Sequence, residues 1–317
     1  MSAPLRIGTR ASALALWQAG HVEALLGALP AAPALERVLI TTSGDVRTDV
    51  PLWAVRGRAF FTREIDRALL EHRIDVAVHS LKDLPTELEP GLELTAVLHR
   101  EDPRDALVSA GGATLAQLPR GARVGTSSLR RRAFLARSRP DLTLLELRGN
   151  VPTRLERLRQ GDYEAVVLAA AGLARLGLEE HITERLPAEV FPPAVSQGAI
   201  GVCTRADDDR AREWIAQLDH PATRLATTAE RALLRALEGG CQVPLGALAQ
   251  LRGGTLALQA AVCSLDGTQR LAAAGEGEAS AAGARELGER LAAELIAHGA
   301  ATLIAIERGA PERTDTP

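Results

Sequence analysis

Strand-length apolar runs alternate with helix-length amphipathic stretches through the first half of this chain, and that alternation constrains the fold more than any other feature. The first series reads as a strand at 5–7, a helix at 12–29, a strand at 36–41, a long loop, a helix at 61–71 and a strand at 74–79. A second series starts after the polar run from His99 to Arg104, with strands near 106–109, 123–126, 142–146 and 165–169 and helices near 128–137 and 151–160. Strands separated by helices imply largely parallel sheets. A proline-rich stretch from Pro187 to Gly198 marks another crossing, followed by a strand at 199–204 and a helix at 208–217. From Pro221 the order changes. One helix runs to about 237, three strands follow in succession near 245–251, 255–262 and 269–275, and a helix near 283–297 precedes a final strand. Because 317 residues exceed what one core usually supports, two α/β units and a smaller α+β unit are expected, with residues 309–317 as a disordered tail.

Composition narrows the function. Apolar residues make up 46% and charged residues 24%, and no apolar run approaches the ~18 residues of a membrane helix, so a soluble protein without a membrane partner is expected. The first residues lack the basic, apolar and small-residue order of a secretion signal, which makes the cytoplasm the expected compartment. Cys203, Cys241 and Cys263 are too few and scattered for a disulfide framework, and none is spaced with histidines as a metal site would be; free thiols and no metal are expected. A net charge of −3 with 3% aromatics argues against nucleic acid. Yet Arg120 to Arg159 holds eleven arginines against Asp141, Glu146 and Glu156, and such a basic patch suits a small anionic ligand. Lys82 is the only lysine in the chain, so one compact, tunable ammonium stands in a background of arginine.

Four segments carry side chains suited to chemistry. Asp75 to Pro85 is an apolar strand whose carboxyl end delivers His79, Ser80, Lys82 and Asp83 into a loop, the edge where open α/β sheets bind ligands. Asp83 can act there as acid or base and Lys82 can pair with a carboxylate, although a surface ion pair closing a strand explains the same residues. In the run from Val124 to Arg132 a strand meets Thr126, Ser127 and Ser128, which open an arginine-rich helix; Arg130 and Arg131 are candidate anion contacts, and Arg132 reads as solvated. The run from Leu145 to Arg154 repeats that arrangement with Arg148 and Arg154, and Arg10 after Ile7-Gly8-Thr9 offers a further cation. Cys241 follows Gly239 and Gly240, which would let the backbone present its thiol; an attachment point or nucleophile and a buried thiol are both open. Cys203 and Cys263 read as buried apolar residues.

In this order the segments resemble the hydroxymethylbilane synthase, or porphobilinogen deaminase, family. The similarity is carried by Arg6-Ile7-Gly8-Thr9-Arg10, Ala15-Leu16-Trp17-Gln18-Ala19, Gly44-Asp45, His79-Ser80-Leu81-Lys82-Asp83-Leu84-Pro85, Arg100 to Ala106, Val124 to Arg131, Leu147-Arg148-Gly149-Asn150-Val151, Ala171-Gly172-Leu173 with Arg175-Leu176-Gly177-Leu178, Gln197-Gly198-Ala199 and Leu237 to Pro244. The resemblance implies two doubly wound units like periplasmic binding proteins, 1–99 completed by 199–217 and 105–193, and an α+β unit at 221–308 carrying the cysteine. It implies a dipyrromethane cofactor attached covalently to Cys241, and transferase activity in which four porphobilinogen molecules are condensed in turn with loss of ammonia and released as linear hydroxymethylbilane, in tetrapyrrole biosynthesis. Asp83 matches the catalytic carboxylate. Ser80, Lys82, Ser128, Arg130 and Arg131 match cofactor-binding positions, and Arg10, Gln18, Arg58, Arg148, Arg154 and Arg175 match substrate-binding ones. A monomer is expected, with hinge motion near 99–104 and 194–198. Two departures stand out: Arg58-Ala59 replaces the lysine and glycine of a Gly-Lys-Gly-Leu-Phe loop, and Ser196 replaces the glycine before the Gln-Gly pair. The rivals are a two-lobed polycarboxylate-binding protein without chemistry, and an acyl or phosphoryl transferase using Cys241, for which no motif supplies a histidine base.

Overall fold

The computed structural model describes residues 3–42, 62–237 and 243–309. Its first sheet has the order β2-β1-β3-β10-β4, formed by Leu5–Thr9 (β1), Leu35–Leu39 (β2), Val76–Ser80 (β3), Leu92–Val97 (β4) and Ile200–Arg205 (β10). Its second has the order β7-β6-β8-β5-β9, from Asp105–Ser109 (β5), Arg123–Gly125 (β6), Thr143–Leu145 (β7), Ala165–Ala169 (β8) and Glu184–Arg185 (β9). Strands β1, β2 and β3 run parallel, as do β6, β7 and β8. Period-two alternation splits each strand between two cores. In β3, Val76 and Val78 meet Ala19 and Val22 of helix α1 (Ala13–Gly27) and Ile215 of α6 (Asp209–Ala216), whereas Ala77 meets Ile65 and Leu69 of α2 (Arg63–Leu70). In β8, Val167 faces Phe134 of α3 (Leu129–Ser138), and Val166 faces Leu155 and Leu158 of α4 (Val151–Arg159) and Leu173 of α5 (Ala170–Arg175). Both sheets are therefore covered on both faces, the α/β class expected. The third unit packs α7 (Pro221–Ala236) and α8 (Ala281–Ala297) on an antiparallel sheet of β11 (Leu245–Arg252), β12 (Thr255–Cys263) and β13 (Arg270–Glu278), with Leu233, Leu258 and Leu291 in its core.

The structure adds two features that the sequence did not give and corrects one expectation. The sheets are mixed, because β10 runs antiparallel to β3 and β4, and β5 runs antiparallel to β8 and β9. These two strands are the ones the chain enters after passing between units, so a crossing inserts one reversed strand into each sheet. Strand β4, left unassigned by the sequence, holds an edge of the first sheet. The last apolar segment, expected as a strand, is helix α9 (Ala300–Gly309), with the Leu303 amide donating to Gly299 O at 3.1 Å.

The two crossings meet at a buried carboxylate. Glu230 of α7 accepts from Arg100 at 2.6 and 3.2 Å, from the Ser196 amide at 2.6 Å and from the Ala249 amide at 2.8 Å. The three donor residues come from three different stretches of chain, which is how a carboxyl group with no exposure has its hydrogen bonds satisfied. Gly198 lets the crossings touch: at φ +90° its backbone lies so close to Glu101 that a Cβ would stand 2.4 Å from that residue's carbonyl oxygen.

Candidate active site

The expected site residues follow the carboxyl ends of parallel strands, where helix starts and loops converge. After β1 comes Arg10. Ser12 then caps α1, its Oγ accepting from the Ala15 amide at 3.4 Å. The turn after β3 carries Ser80, Lys82 and Asp83, all half-buried. Gln18, buried on α1, donates to Ser80 Oγ at 2.9 Å and accepts from it at 3.3 Å, so one turn of α1 sets the orientation of the serine. Across the junction, Ser128 caps α3 by accepting from the Arg131 amide at 3.4 Å, and Asn150 caps α4 by accepting from the Thr153 amide at 2.9 Å. Each cap fixes where the arginines of its first turn emerge.

Charge gathers between these turns. Lys82 is pushed down to about 8: burial lowers it most and Arg131 and Arg130 add to this, while Asp83 and Asp105 oppose. Arg154 is pushed down to about 10, by burial first and then by Arg131 and Arg148, against the pull of Glu146 and Asp83. Among the described residues, Arg130, Arg131, Asp83 and Asp105 act on Lys82, and Arg131, Arg148, Asp83 and Glu146 act on Arg154, so cations from both units and three acids share one electrostatic neighbourhood. A half-buried surplus of positive charge is complementary to a ligand carrying several carboxylates.

Arginines expected to meet a ligand also have partners within the protein. Arg130 donates to Asp105 Oδ2 at 2.6 Å and to Pro192 O at 2.8 Å; Arg131 donates to Asp105 Oδ1 at 2.9 Å and to Val167 O at 2.9 Å. Asp105, fully buried at the start of β5, would have its pKa raised by burial, but the two guanidiniums hold it far below the usual carboxylate range. Arg130 keeps a buried Nε without a hydrogen-bond partner. Arg175 ends α5, donates to Gly198 O at 2.6 Å and sits 5.6 Å from the Trp17 ring centroid, joining α1 to the second crossing; Trp17 in turn stacks on His21 at 5.1 Å. Arg154 donates to Gly149 O at 2.8 Å. Lys82 donates to Gln197 Oε1 at 3.3 Å. Arg58 and Cys241 lie outside the described residues. Cys203 and Cys263 are buried thiols, the former pushed up to about 12 by burial.

Three neighbours of the site were given no role by the sequence: Asp105, Gln197 and Trp17. His79 is buried with its Nε2 unpartnered, and burial together with Arg10 lowers it to about 4. The one available signal was Asp105 itself, an acid placed directly before the apolar run 106–108 and opposite an arginine-rich helix start.

Comparison with known proteins places this geometry. Residues 5–213 match the family model described as porphobilinogen deaminase, dipyrromethane cofactor binding domain, and residues 224–297 match that of the porphobilinogen deaminase C-terminal domain. Among solved structures, the chain is similar to the VFT2 domain of Bordetella pertussis BvgS (12% identity, TM-score 0.39, covering 68% of this chain and 85% of that one). It is also similar to a periplasmic binding protein of Salmonella typhimurium with high arginine specificity (16%, 0.37, 68% and 92%). A third likeness is to the aliphatic sulphonate binding protein SsuA of Escherichia coli (14%, 0.39, 75% and 76%).

Proposed function

Because the chain belongs to the porphobilinogen deaminase family, we propose that it is a hydroxymethylbilane synthase, a transferase that condenses successive porphobilinogen molecules head to tail with loss of ammonia and then releases the linear product by hydrolysis. The observation that carries this most is the surplus of cations gathered around Asp83 from the strand ends of both α/β units. Each porphobilinogen brings two carboxylates, so a growing chain needs several cations and few competing acids. A dipyrromethane group fits the same neighbourhood: Lys82, Ser80, Ser128, Arg130 and Arg131 would hold its carboxylates, and Cys241 would be its covalent anchor. When bound, it supplies the pyrrole carbon to which the first substrate is joined.

The remaining work belongs to the protein. Asp83, beside Lys82 and within the field of Arg154, stabilises the positive charge that develops on a porphobilinogen pyrrole as ammonia leaves. Gln18 holds Ser80 for a hydrogen bond to a carboxylate. Arg10, Arg58, Arg148, Arg154 and Arg175 neutralise incoming substrate, and Gln18 is assigned to substrate binding as a hydrogen-bonding amide. The pyrrole is its own nucleophile, so no serine or histidine triad is required. We also take the protein to act as a monomer in the cytoplasm. Replacing Asp83 by Asn tests the central role. Turnover should fall by about 10²- to 10³-fold with an unchanged thermal melt; a variant retaining most of its turnover would remove Asp83 from the chemistry.

A further inference from the structure

Gln197 lies where the second crossing returns to the first unit, and its amide is committed on both sides. Lys82 Nζ donates to Oε1 at 3.3 Å, while Nε2 donates to Pro103 O at 2.8 Å and to Asp105 Oδ1 at 3.0 Å. An amide whose nitrogen is pinned to two acceptors cannot turn that nitrogen toward an ammonium, so its oxygen faces Lys82. The side chain is 1% exposed, which leaves water no room to replace those bonds. Asp105 is clamped in turn by Arg130 and Arg131. A lysine stem alone is flexible and would spread its charge over many positions. We propose that Gln197 is a positioning residue that holds the Lys82 ammonium in register with Arg130 and Arg131, so that cations of two units present one site to a pyrrole carboxylate, of the dipyrromethane or of a substrate joined to it. The proposal rests on the assignment of Lys82 as a carboxylate ligand. A 3.3 Å bond to a neutral amide holds the ammonium yet yields to a carboxylate, whose bonds to ammonium groups are shorter and about twice as strong.

Lys82 can be read by itself, because it is the only lysine in the chain and the terminal amine maps to another peptide. Among the described residues, the charged groups that act on it most are Asp83, Arg131, Asp105 and Arg130, none of them substituted by changes at Gln197. In Gln197→Met, reductive methylation of Lys82 near pH 8 should run about fivefold faster than in the wild type, and the KM for porphobilinogen should rise about fivefold with kcat little changed. Gln197→Asn keeps the amide but withdraws it by one methylene from Lys82, so methylation should again be faster than in the wild type. A wild-type methylation rate in Gln197→Met overturns the proposal. If that variant does not fold, Gln197→Asn decides alone: faster methylation supports the proposal, and an equal or slower rate overturns it. An unchanged KM in Lys82→Met would instead sink the carboxylate assignment, while the methylation rates would still report whether Gln197 places the ammonium.

Discussion

Ser196 shows how a single position carries a cost set by the fold. It occupies φ +63° with no exposure, its amide donates to Glu230, and its Oγ is buried without a partner. A left-handed backbone costs a residue with a Cβ about 1–2 kcal/mol, and only part of that is offset by glycine's greater freedom when unfolded, about 0.5–1 kcal/mol. Ser196→Gly should therefore stabilise the protein by about 1 kcal/mol in a denaturant melt; a loss of stability would contradict this account of the second crossing. At this scale the sequence was informative where a residue type was scarce or clustered. Lys82 stood out by being the only lysine, and the arginines by crowding two helix starts. Asp105 and Gln197 did not, because what they do depends on partners brought together by the fold, such as each other at a separation of 92 residues. Arg130 and Arg131 were recognisable as anion ligands, but the sequence could not say that the first anion they meet is an aspartate of the same chain.

Helices and strands were legible wherever caps and periodicity agreed. Ser12, Ser128, Asp208 and Ser280 all cap the helices that follow them, and His220 does so with its ring nitrogen. Strand direction was not legible, since β5 and β10 read like their neighbours and differ only in arriving from another unit. Segment 300–309 failed for a different reason: a short apolar run without polar alternation suits a strand or a buried helix equally. Close packing between elements also hides in the sequence. Gly288 in α8 faces α7 so tightly that a Cβ would stand 2.3 Å from Ala229 O. Gly288→Ala gains about 1 kcal/mol in helix propensity, but overpacking costs about 1–3 kcal/mol, so the urea midpoint should fall. A rise would show that α7 and α8 can separate freely.

Over the whole molecule, acid should act through buried charges in separate windows. His79 must stay neutral, so its contribution is lost as pH falls from its unfolded value near 6.5 toward about 4. Asp66, raised to about 6 mainly by burial, changes stability in the opposite sense, with a contribution present below its unfolded value near 4 and lost as pH rises through 6. Below pH 4 the aspartates dominate. Asp75, held at about 2 because Arg6 and Arg205 outweigh its burial, and Asp105, held lower still, contribute stability above about pH 4 that disappears as pH falls through their folded values. The melting temperature should change little between pH 6.5 and 4 and drop steeply below; a curve that collapses above pH 5 and then levels off would contradict this. These ion pairs each lie within one unit, Asp75 with Arg6 and Arg205 in the first and Asp105 with Arg130 and Arg131 in the second, and the central claim is that the cations at the strand ends of both units serve a covalently held dipyrromethane. Denaturing mass spectrometry of the purified, active protein tests it most directly. The account predicts a mass above that of the sequence by one dipyrromethane, lost in Cys241→Ser, whereas an active protein with the bare sequence mass would contradict it.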